Sequence, residues 1–297
     1  MFIKFMIVFC VISSLIDIEA YEFDRDLSYR MALLSSAAYS DDPETCLSNI
    51  FGQHFWQHVT QDTFRHDTLD SISAFVAVSH PTKENFQNKG KVLGYWKVAF
   101  KGIYRKLNKT FIDNVMKYGN YSIWITGHSL GAALASLAAM QIVIDYPLLA
   151  NRIVLYTFGQ PRVGDHEYAM KHDQMVNHSF RVVDYIDPVV HLPPCRYLEF
   201  ERACATGNDD PYHHGLEVFY DTDDMKKSSN FTLCKGLPKD EDMHCSDKYT
   251  FRCFENTRDC ISFHTHYYNI DLGEFPTISN CSLKRYMERY EAIHDKI

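Results

Sequence analysis

Residues 121–144 read YSIWITGHSLGAALASLAAMQIVI, and three kinds of chain succeed one another within them. Tyr121–Thr126 is a short apolar run of β-type residues. Gly127–Gly131, GHSLG, is a turn. Ala132–Ile144 is rich in alanine and leucine, which are strong helix formers. A serine in the pattern G-x-S-x-G between a strand and a helix sits on a tight turn that lifts its Oγ above the sheet edge, and the flanking glycines let strand and helix approach closely. Ser129 is therefore a candidate nucleophile. The backbone N–H of Leu130, at the start of the helix, can point at a developing oxyanion. The alternative is an ordinary strand-to-helix turn whose serine merely caps the helix. The strand before and the helix after supply the context that the chemical reading requires.

Outward from this unit the alternation continues. Asp145-Tyr-Pro breaks the helix. Arg152–Phe158 is a second buried-strand run, ending in Gly159-Gln-Pro; His166–His172 is helical; Ser179–Tyr185 is a third strand run. Strands alternating with helices at this spacing predict a mostly parallel central sheet flanked by helices, an α/β fold. Upstream, Arg25–Tyr39 carries Leu27, Met31, Leu34 and Ala38 at helical spacing. Ser71–Ser79 is a strand candidate, and Val92–Lys117 holds helical material. From Leu192 on, the chain is rich in loop residues and cysteine and reads as a stapled continuation of one domain, residues 21–297.

Residues 1–20 have the layout of a signal peptide: an early cation at Lys4, an apolar stretch from Phe5 to Ile16, and a small residue at Ala20. The apolar stretch is shorter than the ~20 residues a membrane span needs. No later segment is long and apolar enough, so no transmembrane segment is expected after the leader is removed. Cys10 lies in that leader. The remaining cysteines are Cys46, Cys195, Cys204, Cys234, Cys245, Cys253, Cys260 and Cys281, an even number behind a secretory leader, which reads as disulfides. Short-range closure favours Cys195–Cys204, Cys234–Cys245 and Cys253–Cys260, leaving Cys46–Cys281 to tie the two ends together; the sequence alone leaves other pairings open. There is no C-x-x-C pair, and a metal is not expected. Sequons at Asn108, Asn120, Asn177, Asn230 and Asn280 fit an extracellular chain. With 30 Lys and Arg against 38 Asp and Glu, the formal net charge is −8. A mildly acidic chain without a basic block makes nucleic acid a poor partner.

The motifs in combination resemble the class 3 lipases, the fungal-lipase-like branch of the α/β hydrolases, and look closest to secreted nematode forms. The residues that carry the resemblance are Gly127–Ala135, Phe158–Gly164, Asp187-Pro-Val-Val-His191-Leu-Pro-Pro and Tyr212–Tyr220. The resemblance implies an α/β-hydrolase fold and a secreted serine carboxylic-ester hydrolase, a triacylglycerol lipase, needing no cofactor. Its partners would be an acylglycerol or other ester and, transiently, a lipid surface. A serine hydroxyl needs a base and the base an orienting carboxylate, in the chain order Ser, Asp or Glu, His. Asp187 matches the family acid; Asp184 and Asp165 are its rivals. His214, before the strand-like Leu216–Tyr220, matches the family base, with His213 as its rival. His264 and His266, spaced i and i+2 in the cysteine-rich tail, read as a solvated or disulfide-packed pair.

One family feature is missing after about residue 83. Family members carry a strand ending in a Phe-Arg-Gly-(Thr or Ser) type segment, which supplies the second oxyanion donor and leads into the lid. Here Ser79-His-Pro-Thr-Lys-Glu runs almost directly into Gly90-Lys-Val-Leu-Gly-Tyr-Trp. Val98–Ile103 offers a superficial substitute, but its spacing to Phe111 and Trp124 favours a helix. The gap motivates a second reading: an impaired lipase-like lipid-binding or interaction protein, or an incomplete gene model.

Overall fold

The computed structural model describes residues 8–12, 22–52, 83–117, 122–198, 203–207, 209–235, 240–250, 252–253 and 257–294. The strand candidate Ser71–Ser79 and the sequon at Asn120 lie outside them.

The strand runs become strands because each is apolar on both faces. β4 (Ser122–His128), β5 (Ile153–Phe158) and β7 (Ser179–Asp184) are buried along their whole lengths. That is the pattern of strands covered on both sides. With β11 (Leu216–Tyr220) they form the parallel heart of a six-stranded sheet ordered β1-β4-β5-β7-β11-β12. The edges are antiparallel: β12 (Thr232–Cys234) on β11, and β1 (Val8–Ile12) on β4. β1 falls in the segment that reads as a leader, and its register runs from Val8 opposite Thr126 to Ile12 opposite Ser122.

Period-two alternation divides the core. Ile123 and Ile125 of β4 and Ile153 and Leu155 of β5 face α3 (Gly94–Lys117) and α4 (Leu130–Asp145). Trp124, Val154, Tyr156 and Phe158 face the opposite layer, built from α1 (Arg25–Ala37) and the C-terminal residues Tyr267, Phe275 and Tyr286. α1 opens on Asp24, whose carboxylate accepts from the Leu27 N–H, a side-chain N-cap. α4 is buried all round from Leu130 to Val143 because it lies between the sheet and α3, and its sequence is accordingly apolar on every face. Val98–Ile103 lies inside α3, so the substitute-strand alignment is ruled out: these residues make helical, not ladder, hydrogen bonds.

Shorter pieces dress this frame. α2 (Pro43–Phe51) follows α1, and a four-stranded sheet joins β2 (Lys83–Asn85), β3 (Lys91–Leu93), β6 (Gly164–Asp165) and β10 (Pro211–Tyr212). α5 (His166–Met175) connects β6 to β7. Hairpins pair β8 (Tyr197–Leu198) with β9 (Ala203–Cys204) and β13 (His266–Tyr267) with β14 (Ile270–Asp271). α6 (Thr257–Thr265), α7 (Glu274–Ser279) and α8 (Leu283–His294) complete the chain. Disulfides join Cys46 to Cys281, Cys195 to Cys204, Cys234 to Cys245 and Cys253 to Cys260. The last three are the pairs that short-range closure favours, and Cys46–Cys281 is the pair left over. Asn177, Asn230 and Asn280 are exposed, and Asn108 is half-buried on α3.

Cys46–Cys281 spans 235 residues and fastens α2 to the start of α8. Long loops gain most from a cross-link in the chain-entropy account, so Cys46→Ser with Cys281→Ser is expected to lower stability by on the order of 4–5 kcal/mol. Urea unfolding of the two proteins side by side measures this; equal midpoints would mean that the packing of α1, α2 and α7 holds the ends without the bridge.

Candidate active site

Ser129 sits between β4 and α4 with φ 58° and ψ −127°. A side chain at positive φ is strained. The turn tolerates this because its flanks carry no side chains: a Cβ on Gly127 would lie 2.2 Å from the Gly131 carbonyl oxygen. The Ser129 N–H donates to the Phe158 carbonyl at 2.9 Å, tying the turn to the end of β5. Although Ser129 occupies the N-cap position of α4, its side chain makes no capping bond. Its Oγ instead lies 2.8 Å from Nε2 of His264.

His264 is the second-last residue of α6. Its Nδ1 faces both oxygens of Asp187, at 3.0 and 2.9 Å. A carboxylate only accepts, so Nδ1 carries the hydrogen, and Nε2 presents its lone pair to the serine hydroxyl. Asp187 lies in the turn after β7, fully buried, and is held from two further directions. The Val189 N–H donates to Oδ1 at 2.8 Å and the Tyr267 hydroxyl to Oδ2 at 3.0 Å. Burial, reinforced by the Asp187 charge, raises the Tyr267 phenol well above its ordinary range, so it remains a donor. Gly159, just past β5 at φ 55°, makes room beneath the pair: a Cβ there would lie 2.7 Å from both Asp187 Oδ2 and His264 Nδ1.

The structure therefore corrects the histidine. His214 precedes β11 at the N-terminal end of the parallel strands. The register pairs Leu216 with Phe180 and Tyr220 with Asp184, which puts the His214 backbone toward the N-terminal edge of the sheet, whereas Asp187 follows the C-terminal end of β7. There its Nε2 meets Ser136 Oγ of α4 at 2.7 Å and Gln160 Nε2 at 3.3 Å, and its ring stacks on His172 at 3.9 Å. Ser136 is fully buried, two turns down α4 from Ser129, and also bonds the Tyr168 hydroxyl. His213 donates through Nε2 to the Val190 carbonyl and supports the loop after Asp187. His266 bonds the Ser262 carbonyl at the surface.

The rival acids also find other places. Asp165 caps α5, accepting from the Tyr168 N–H at 2.9 Å. Asp184 ends β7 without reaching the histidine; burial, then the neighbouring Asp187, push its carboxyl well above the usual carboxylate range. A sequence signal for His264 existed, since it follows Asp187 in the required order. Nothing local distinguished it among the seven histidines that follow Asp187.

Around the site the buried charges are paired. Arg162 forms a two-pronged pair with Glu241, at 2.8 and 2.7 Å, and donates to the His191 carbonyl in the Asp187 loop at 2.8 Å. Arg181 meets Glu217 at 3.3 Å. Two clusters of acids and sulfurs, Glu217 with Cys234 and Cys245, and Cys204 with Glu241 and Asp247, have the compactness of metal sites. Their sulfurs are disulfide-bonded and their glutamates face arginines, a donor set unsuited to a metal ion.

Residues 64–197 match the family model described as lipase (class 3). A lipase of Caenorhabditis elegans is 38% identical over 173 residues, 54% of this chain and 48% of that protein. A lipase of Rhizomucor miehei is 35% identical over 128 residues, 41% of this chain and 33% of that protein. The chain thus spans about half the length, or less, of these curated relatives. The solved structure of the Rhizomucor miehei triacylglyceride lipase superposes with a TM-score of 0.64 at 21% identity, covering 90% of this chain and 99% of that one.

Two measurements check this site. Asp187→Asn is expected to slow reaction of Ser129 with a fluorophosphonate by about 10⁴-fold, as loss of the orienting acid does in serine triads. Asp184→Asn should leave the rate nearly unchanged, because His264 is held by Asp187 and not by that carboxyl. The reverse ranking would move the acid to Asp184. The second concerns acid stability. Burial, then the neighbouring His264, hold His128 down to about 3, and burial with Arg181 and Arg162 holds His213 well below its usual range. Such groups stabilise the fold fully above the unfolded value of about 6.5 and lose that contribution as pH falls toward the folded value. The His128 contribution, read as the difference in denaturant unfolding free energy between wild type and His128→Gln, should therefore fall by about 1.2 kcal/mol from pH 6 to pH 5. A rise would contradict neutral buried imidazoles.

Proposed function

We propose that this chain, whose residues 64–197 match the class 3 lipase model and which is 38% identical to a nematode lipase over 173 residues, is a secreted serine hydrolase of carboxylic esters, acting on acylglycerols through an acyl-enzyme on Ser129. One observation carries the reading: a single imidazole, His264, bridges the oxygen of Ser129 at 2.8 Å and the carboxylate of Asp187 at 2.9 Å. His264 accepts the serine proton through Nε2 as Oγ attacks the ester carbonyl, and returns it to the departing alcohol. Asp187 holds the ring in the required tautomer and stabilises its charged form. The Leu130 N–H, at the first residue of α4, takes the negative charge on the former carbonyl oxygen. Water then enters by the same base and frees the acid.

The acylglycerol substrate rests on the family and on the triacylglyceride lipase that shares the fold. Secretion, with removal of residues 1–20, is supported by four disulfides, which persist in oxidising compartments. Among the described residues no helix is long and apolar enough to cross a membrane.

The impaired, lipid-binding alternative keeps one observation in its favour. The hairpin of β2 and β3 runs straight into α3, so no family-type oxyanion strand lies between residues 83 and 117. Loss of one oxyanion donor typically costs about 2.7–4 kcal/mol in the transition state.

The deciding experiment uses protein secreted from an oxidising host, with Ser129→Ala as control. Wild type is expected to hydrolyse p-nitrophenyl esters and emulsified triacylglycerol, and the control to lose on the order of 10⁴-fold or more. Hydrolysis of short-chain esters alone would move the substrate to a non-lipid ester. Folded protein that neither hydrolyses these substrates nor takes up a fluorophosphonate would favour the lipid-binding reading.

A further inference from the structure

We infer that Tyr39 and His128 form a hydrogen-bonded strut that positions His264 by gripping its main chain, so that His128 is a positioning residue for the reaction proposed above; the inference rests on that reading of the triad. The side chain of His264 is defined by Ser129 and Asp187, but its backbone stands at a helix end. α6 stops at Thr265, so the His264 carbonyl is among the last four, which have no partner within the helix. His128 supplies one. Its Nε2 lies 2.6 Å from the His264 carbonyl oxygen.

The hydrogens in this contact have only one arrangement. A carbonyl oxygen only accepts, so Nε2 of His128 carries the hydrogen. A neutral imidazole then has its lone pair on Nδ1. The Tyr39 hydroxyl, 2.7 Å from Nδ1, must donate. Donation therefore runs from Tyr39, just past α1, through His128 at the end of β4, to the main chain of α6. Consecutive residues of one turn hold the two halves of His264: His128 holds its backbone and Ser129 meets its ring.

The same surroundings keep His128 uncharged. It is buried, and the groups facing it are His264, with rings 4.7 Å apart, Tyr267 at 6.0 Å, Asp187, and Tyr39, which itself feels Asp271. When His264 takes up the serine proton it becomes a cation. A neutral ring 4.7 Å away adds no like-charge repulsion at that moment, whereas a second imidazolium would.

The test compares wild type, His128→Phe, which keeps a ring but neither bond, and His128→Gln, whose terminal amide can still donate to the carbonyl. Saturation kinetics with a fluorophosphonate separate binding from reaction at Ser129, with Ser129→Ala as blank. H128F is expected to lower the maximal labelling rate by about 100-fold, the cost of a small misplacement of a catalytic group, while half-saturation stays unchanged. H128Q should recover most of the rate. Imidazole ¹⁵N spectra of wild type should show His128 as the Nε2–H tautomer from pH 8 to pH 5. Wild-type labelling by folded H128F, or an Nδ1–H or titrating His128, would overturn the strut. Should Phe prevent folding, His128→Asn, too short to reach the carbonyl, replaces it with the same expected loss. If wild type takes no label, the hydrolase reading fails, and the tautomer spectrum alone decides whether the strut exists.

Discussion

The backbone of Ser129, at φ 58° between β4 and α4, is the constraint from which the rest of the molecule follows. A non-glycine residue in such a conformation costs on the order of 1–3 kcal/mol, and it persists only where the surroundings leave no alternative. Here those surroundings are the most buried elements of the chain. β4 is covered on both faces, and α4 is apolar all round because the sheet lies on one side of it and α3 on the other. Gly127 and Gly131 pass too closely to admit a Cβ. In this conformation the Ser129 side chain makes no capping bond and lies against His264 instead.

The partners of that serine come from distant parts of the chain and meet at one end of the sheet. Asp187 arrives on the turn after β7, His264 on α6, and His128 is the residue just before the serine. Gly159 leaves the space in which the acid and the base meet. Each member is fixed by more than one contact. Asp187 is bonded by a backbone N–H and by the Tyr267 hydroxyl as well as by the histidine, and Arg162 holds the following loop through the His191 carbonyl. A base that must sit within hydrogen-bond reach of both neighbours requires such over-determination.

The cysteine-rich C-terminal part is what delivers the base. Cys253, bonded to Cys260 of α6, packs against the Ile186 carbonyl immediately before Asp187, so this disulfide joins the acid's turn to the helix of the histidine. The hairpin of β13 and β14 follows at once and buries Tyr267 beneath Asp187. Farther out, Cys46–Cys281 closes the C-terminal layer on α2 beside α1, the helix that precedes Tyr39. The tail is therefore part of the same packed layer as the N-terminal helix.

What the sequence by itself determined was local. The apolar strand runs and the alanine-rich helix around Gly127–Gly131 identified the turn and its candidate nucleophile, because strand, turn and helix obey short-range rules of period, glycine placement and propensity. For the acid, a carboxylate following a strand at the sheet's C-terminal edge and the family resemblance favoured Asp187, with Asp184 and Asp165 left as rivals. The histidine was decided only in three dimensions. His214 carries the motif register, but β11 runs parallel to β7, and that pairing puts the His214 backbone toward the N-terminal edge of the sheet. His264 has no motif, and its position depends on a disulfide, a helix end and a hairpin that close only when the chain folds. The strut through Tyr39 is equally illegible in one dimension: it joins residues 39, 128 and 264, and only the stacking of α1, the sheet and the C-terminal layer brings them within hydrogen-bond range.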